Sequence, residues 1–201
     1  MKIGIGLSLE KDEAKAARQA VRAARKGAAR PDLALVFASV KRDQKRLHAA
    51  LKKELAGVPL IGGTSYAEIT SAGVTKGSVA VLLLGLEGGR VTVASSSCKT
   101  DPEGAGRALA ESLTAAAALP DARRLGLLFT AFDTGNEQEM LGAIAARLGP
   151  VPLFGGLFSG DYDAGLSSGE FRRNWQYDAG RLSMSSTLLA LRAQGSKLVV
   201  G

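Results

Sequence analysis

The hexapeptide VPLIGG, Val58–Gly63, returns with one change as VPLFGG, Val151–Gly156. Pro59 and Pro152 are 93 positions apart (152 − 59), nearly half of the 201-residue chain. Each copy follows an apolar run carrying a Phe, LALVFAS with Phe37 and LGLLFTAF with Phe129, and then a segment of helical periodicity. From that Phe to the second glycine is 26 residues in one copy (63 − 37) and 27 in the other (156 − 129). Agreement in strand, helix length and following strand points to duplication of a whole strand-helix-strand unit. It implies two related backbone loops, each a Gly pair after a buried strand, placed by pseudo-symmetry.

The remaining pattern fills in each unit. Residues Lys2–Leu7 alternate as a strand, and Asp12–Lys26 reads as a helix with Ala14, Ala17, Val21 and Ala24 on one face. Leu33–Ala38 is a continuous apolar run, the signature of a strand covered on both faces. Near Asp43–Leu55 a helix offers Leu47, Leu51 and Leu55 at four-residue steps; Gly57 ends it, and Val58–Ile61 is a short buried strand. A polar loop is expected over Gly62–Gly77, then a strand over Ser78–Leu86. Gly88-Gly89 reads as a hairpin turn into Arg90–Ser97, because a type I′ turn needs positive φ at both central residues. In the second unit Asp101-Pro102 supplies an N-cap and an N1 proline for a helix to about Ala118. Leu125–Thr130 is the buried strand. Thr134–Glu137 has capping-box spacing and opens a helix with Leu141, Ile144, Ala145 and Leu148 on its apolar face. Val151–Phe154 precedes the second Gly pair. An insertion, Leu157–Gly180, contains a candidate strand, Phe171–Tyr177, turned by Asp178-Ala179-Gly180 into Arg181–Leu191. The expected fold is α/β. Two tandem pseudo-symmetric β-α-β-α-β-β units, about 1–87 and about 90–195, form a mixed parallel and antiparallel sheet with helices packed on it.

Composition removes several function classes. Hydrophobic residues make up 46% and charged residues 22%, ordinary globular values that argue against bulk disorder. The formal net charge of +7 is carried mostly by Arg18, Arg22, Arg25, Lys26, Arg30, Lys41, Arg42, Lys45, Arg46, Lys52 and Lys53. Such a face could attract nucleic acid or an anionic membrane, but no aromatic is interleaved to stack bases, and the solvated surface of two helices accounts for it. Neither nucleic acid nor membrane is expected as a partner. The single cysteine, Cys98, leaves no internal disulfide and no Cys-based zinc cluster. The single histidine, His48, sits in a basic helical stretch without a metal-ligand partner, so no metal and no cofactor is expected. The N-terminus meets acidic residues by Glu10 and lacks a signal peptide's apolar stretch. The longest apolar run, Val79–Leu84, is far short of the ~20 residues that span a bilayer. A soluble, cytoplasmic protein is expected.

In open α/β sheets, ligands collect beyond the carboxyl ends of parallel strands. Those ends carry Ser39, the segment Gly62-Gly63-Thr64-Ser65, Thr130 and Asp133 in Thr130–Asn136, and Gly155, Gly156, Ser159 and Asp161 in Gly155–Asp161. Gly pairs let a ligand approach the backbone, whose N–H groups hold carboxylate or phosphate. Thr64, Ser65 and Ser159 add hydroxyls; Glu68, Asp133 and Asp161 add carboxylates for an ammonium group. That combination suits a zwitterion such as an amino acid; the alternative is that the glycines only turn the chain. Gly4 and Gly6 lack the third glycine of a dinucleotide fingerprint, and Lys76-Gly77-Ser78 lacks P-loop spacing. No Ser-His-acid or Cys-His set can be built around His48, which leaves carboxylate hydrolysis through Glu68 and Asp161 as the catalytic option. Phe171, Trp175 and Tyr177 pack in a hairpin or line a pocket.

In their order and spacing, PDLALVFAS (Pro31–Ser39), VPLIGGTSYAEI (Val58–Ile69), GVTKGSVAVLLLG (Gly73–Gly85), VPLFGGLFSGD (Val151–Asp161) and WQYDAGRL (Trp175–Leu182) resemble the N-terminal FIST domain. That family is named for F-box and intracellular signal transduction proteins, and the resemblance covers almost the entire chain. The family's first Gly loop usually runs Gly-Cys-Ser/Thr-x-x-Gly-Glu-Ile. This chain keeps Gly62, Glu68 and Ile69 but carries Gly63 for the Cys and Ala67 for the second Gly. The resemblance implies a sensory module that binds small ligands such as amino acids and feeds kinases, cyclic-nucleotide enzymes or ubiquitin ligases. It also implies a FIST C-terminal domain directly downstream. That domain would begin near Lys197–Gly201 and is expected to be absent from this chain.

The chain is therefore expected to be a cytoplasmic, non-catalytic domain that senses an amino acid or small carboxylate in a pocket at the strand ends. Its other expected partner is a signalling output protein or a FIST C-terminal domain. The alternatives are a protein-interaction or oligomerisation scaffold built on the insertion around Phe171–Tyr177 and, last, a carboxylate-dependent hydrolase. Because the residues after the two Gly pairs differ, one functional pocket is expected rather than two.

Overall fold

The computed structural model describes residues 1–88, 90–96, 100–116, 123–131, 137–149, 151–158, 176–178, 181–183 and 186–193. Cys98, Asp133, Ser159, Asp161, Phe171 and Trp175 lie outside the described residues. In chain order the elements are β1 (Lys2–Ser8), α1 (Glu13–Arg25), β2 (Leu33–Ser39), α2 (Gln44–Leu55), β3 (Leu60–Ser65), β4 (Glu68–Thr70), β5 (Gly73–Thr75) and β6 (Val79–Gly85). They continue with β7 (Arg90–Ser96), α3 (Pro102–Ala116), β8 (Arg123–Ala131), α4 (Glu137–Leu148), β9 (Leu153–Phe158), β10 (Gln176–Asp178), β11 (Arg181–Ser183) and β12 (Ser186–Ala193).

The strands form a six-stranded sheet in the order β1-β6-β2-β3-β10-β11, a four-stranded sheet β7-β12-β8-β9 and the small pair β4-β5. Each larger sheet has one parallel pair, β2 with β3 and β8 with β9, bridged by α2 and α4 respectively; the other pairings are antiparallel. The expected mixed pairing is present, and it is distributed over two larger sheets.

Period-two alternation sorts the strand side chains into layers. On β2, Ala34, Val36 and Ala38 face α1 and α2, packing on Ala16, Ala17, Ala20, Val21, Ala24, Leu47, Leu51 and Leu55. Leu33 and Leu35 face the other way, into a core shared with Ile61, Leu84, Val91, Val93, Leu127 and Phe129 of both sheets. On the outer face of the four-stranded sheet, Ala105, Leu109 and Leu113 of α3 meet Met140 and Ile144 of α4 over Leu128. The layers run helix, sheet, sheet, helix.

Close contact explains the glycines of KIGIG. A Cβ on Gly4 would stand 1.8 Å from the Ala24 carbonyl oxygen, and one on Gly6 would stand 1.9 Å from that of Ala20. These glycines let α1 press directly on β1. Both N-terminal helices are capped as their sequences demand: Asp12 accepts from Lys15 N–H at 2.9 Å and Asp43 from Arg46 N–H at 3.1 Å. Between them, Arg42 is fixed by Glu13 at 2.8 Å, by the Gly77 carbonyl at 3.1 Å and by the Glu10 carbonyl at 2.7 Å. Lys15, Arg18, Arg22, Lys45, Arg46, Lys52 and Lys53 are exposed on α1 and α2, and Arg25 is half-buried.

Five expectations are corrected. Gly62 to Ser65 belong to β3, and Gly155-Gly156 belong to β9, so neither Gly pair is a loop. Gly89 lies outside the described residues, but the hairpin expected between β6 and β7 is not formed, because β6 already has β1 and β2 on its two edges and β7 pairs with β12 in the other sheet. The stretch Arg181–Leu191 is divided between β11 and β12, which belong to different sheets. Ala14 is exposed, since the buried stripe of α1 reaches its first turn at Glu13. On α4 the buried residues are Met140 and Ile144; Leu141 and Ala145 lie one residue further round the helix and are exposed.

Candidate functional site

The two Gly pairs occupy matching registers. Gly62 lies opposite Val36 and Gly63 opposite Phe37; Gly155 lies opposite Leu128 and Gly156 opposite Phe129. Gly62 and Gly155 also share an unusual backbone, with φ of 149° and 155°. Their outer edges differ. β10 adds antiparallel to β3, with Tyr177 opposite Gly62 and Gln176 opposite Gly63, whereas β9 has no second ladder partner among the described residues.

The first pair is consequently closed. Thr64 is fully buried, and Ser39 is buried with its carbonyl accepting from the Gln44 side chain at 2.8 Å. Glu68 is turned inward. Its carboxylate accepts from Ser65 Oγ at 2.7 Å, from Ser78 N–H at 3.1 Å and from the Ser78 hydroxyl. Both oxygens are engaged in holding the β4–β5 hairpin on β3 and β6. Ser39, Thr64, Ser65 and Glu68 thus stand together around a closed strand end.

The second pair is open. A cavity of about 320 Å³ is lined by Leu128, Thr130, Glu137, Leu141 and the run Leu153–Leu157, which contains Gly155 and Gly156. Thr130 is buried at its base, while Phe154, Gly155, Gly156 and Leu157 are exposed along its rim. Of the expected residues, Thr130, Gly155 and Gly156 line this cavity, and Ser39, Gly62, Gly63, Thr64, Ser65 and Glu68 do not. The remaining three, Asp133, Ser159 and Asp161, lie outside the described residues. The cavity combines apolar walls with one hydroxyl, one carboxylate and the exposed backbone groups of a strand edge. Such a set holds a small molecule with an apolar body and a hydrogen-bonding, cationic head.

Sequence reading missed Glu137, Leu141, Phe154 and Leu157 as wall residues. The 93-residue offset contains the signal: it aligns α4 with α2 and sets Glu137 on Gln44 and Leu141 on His48. Gln44 and His48 are buried, and their counterparts line an opening. Among the described residues, no group of His, Cys, Asp and Glu has the arrangement of a metal site, and no helix is long and apolar enough to cross a membrane.

The fold and cavity define a layered α/β domain with its opening at a sheet edge. The FIST N domain matches residues 32–201, and the chain belongs to that family of sensory signal-transduction domains. No curated relative matches significantly. Among solved structures, the chain is similar to a cyanuric acid hydrolase from A. caulinodans at 13% identity and a TM-score of 0.45, over 96% of this chain and 71% of that one.

Proposed function

We propose that this sensory domain is a cytoplasmic, non-catalytic receptor for a small amino acid or carboxylate, bound in the cavity at Gly155-Gly156. The observation that carries this reading is the contrast between the two Gly pairs, one covered by β10 and the other opening on a cavity. The β9 backbone would take the ligand's carboxylate and amide groups, Glu137 its ammonium, and Leu128, Leu141 and Leu153 its apolar body. The two halves are further read as copies of one unit. Support comes from the orders β1-β6-β2-β3 and β7-β12-β8-β9, which place the first, last, second and third strands of each half in the same sequence.

A thermal-shift screen over the amino acids and small carboxylates tests the receptor. At least one is expected to raise Tm saturably, with Glu137→Gln weakening it about tenfold through loss of a charged hydrogen bond. No hit in the whole set would end the receptor reading. A hit indifferent to Glu137→Gln and to Thr130→Val would end the residue assignment.

A further inference from the structure

The chain contains two hairpins of one design. In β4–β5 three residues pair with three, Ile69 opposite Val74 at the centre; in β10–β11 Tyr177 is opposite Leu182 in the same position. Each hairpin follows the Gly-pair strand of its half. Their fates differ. β10 adds to the edge of β3, but β4–β5 adds to no sheet, and β9 keeps an open edge among the described residues. The unused hairpin displays Ile69, 80% exposed, and Val74, 67% exposed. The unused edge displays Phe154 at 46% and Leu157 at 51%, with Leu141 of α4 alongside. An open, apolar strand edge is a template for another strand.

Among the described residues no strand fills this edge, and the β4–β5 hairpin of the same chain does not reach it. Residues 159–175 separate β9 from β10, whereas only Tyr66 and Ala67 join β3 to β4. Two residues reach at most about 7 Å. Glu68 in β4 is moreover fastened to Ser65 and Ser78, so the hairpin is held against its own β3 and β6. Charge is complementary across the two surfaces: Glu137 of α4 lines the groove, and exposed Lys76, which donates to the Tyr66 hydroxyl, follows β5.

We propose that the β9 edge accepts the β4–β5 hairpin of a second copy of this chain. β4 adds antiparallel to β9 with Ile69 opposite Gly155, as Tyr177 lies opposite Gly62. This rests on the reading of the open groove as the functional site and adds how its occupancy is transmitted. Hairpin and small ligand contend for one groove, so ligand binding changes the assembly state.

The register sets Thr70 opposite Phe154 across the joint, within disulfide reach. Two chains, each with Cys98→Ser, one carrying Thr70→Cys and the other Phe154→Cys, are mixed without ligand and mildly oxidised. The heterodimer of the two is the expected main covalent product. Self-crosslinking of the Phe154→Cys chain instead means that β9 edges pair with each other, and overturns the hairpin as occupant. In sedimentation velocity over the micromolar range, wild type is expected to self-associate, with Ile69→Asp and Leu157→Asp each weakening association about tenfold or more. Both positions are exposed, so circular dichroism and Tm of these variants report an intact fold. A wild-type chain that stays monomeric throughout overturns the proposal, and ligand hits on such a monomer leave the receptor reading standing alone.

Discussion

A Cβ on Gly62 would stand 1.8 Å from the Val36 carbonyl oxygen, and one on Gly155 would stand 1.6 Å from that of Leu128. Backbone, not a flexible side chain, is the obstacle in both, so the strand would have to leave its parallel neighbour. Gly62→Ala and Gly155→Ala are each expected to cost at least about 3 kcal/mol in urea unfolding. Nothing lies within 4 Å of a Cβ on Gly156, and Gly156→Ala should change stability by less than about 1 kcal/mol. The Glu13–Arg42 pair is the other residue-scale lock, with side chains only 9% and 6% exposed. Arg42→Ala leaves a buried carboxylate without its cation, and a loss of about 3–5 kcal/mol is expected by the same measurement. At the start of α1, the Lys15 backbone N–H holds the Asp12 carboxyl below its usual pKa, with a smaller contribution from Arg46. A depressed folded-state pKa contributes stability above the unfolded value and loses it as pH falls through the folded one. Asp12→Asn keeps an acceptor at the cap but does not titrate. Its Tm should therefore fall less than that of wild type on acidification, and an equal fall would mean the cap carboxylate contributes nothing.

At the scale of elements, local chemistry made much of the fold legible. The Leu47, Leu51, Leu55 stripe and the Asp43 cap gave α2 its face and its start, and the unbroken apolar run of β2 announced burial on both sides. Asp101-Pro102 likewise opens α3, where Asp101 accepts from Gly104 N–H at 2.7 Å. What escaped depends on which strand edges are free, a property of the assembled sheet that no window of sequence carries. Gly88-Gly89 has hairpin composition, but β6 had no edge to offer. The Gly pairs look like turns because glycine usually marks one, yet here they are strand residues that let β3 and β9 lie against β2 and β8. The candidate site divided for the same reason. Thr130, Gly155 and Gly156 line the cavity, while Glu68 was drawn off by Ser65 and Ser78. The wall residues Glu137 and Leu141 sit on a helix face whose orientation depends on how α4 settles on β8.

For the whole molecule, the decisive joint is between the sheets. Phe37 of β2 meets Phe129 of β8 edge to face at 5.8 Å and 76°, and Phe129 stacks on Phe158 of β9 at 5.1 Å. Phe37 and Phe129 stand opposite the second glycine of each pair in the parallel ladders. Phe129→Ala is expected to lower stability by about 3–5 kcal/mol. In a double-mutant cycle with Phe37→Ala the coupling should be about 0.5–1.5 kcal/mol, the range of an aromatic pair in contact. The shape of the urea transition decides more than its midpoint. If the core between the sheets makes one cooperative unit, far-ultraviolet and near-ultraviolet circular dichroism should follow a single transition in both variants. Separate transitions in Phe129→Ala would mean that each helix-covered sheet is stable without the other. The seam between the sheets would then be an interface between two small domains, and opening at that seam, rather than at the β9 edge, would be the motion available to a sensor.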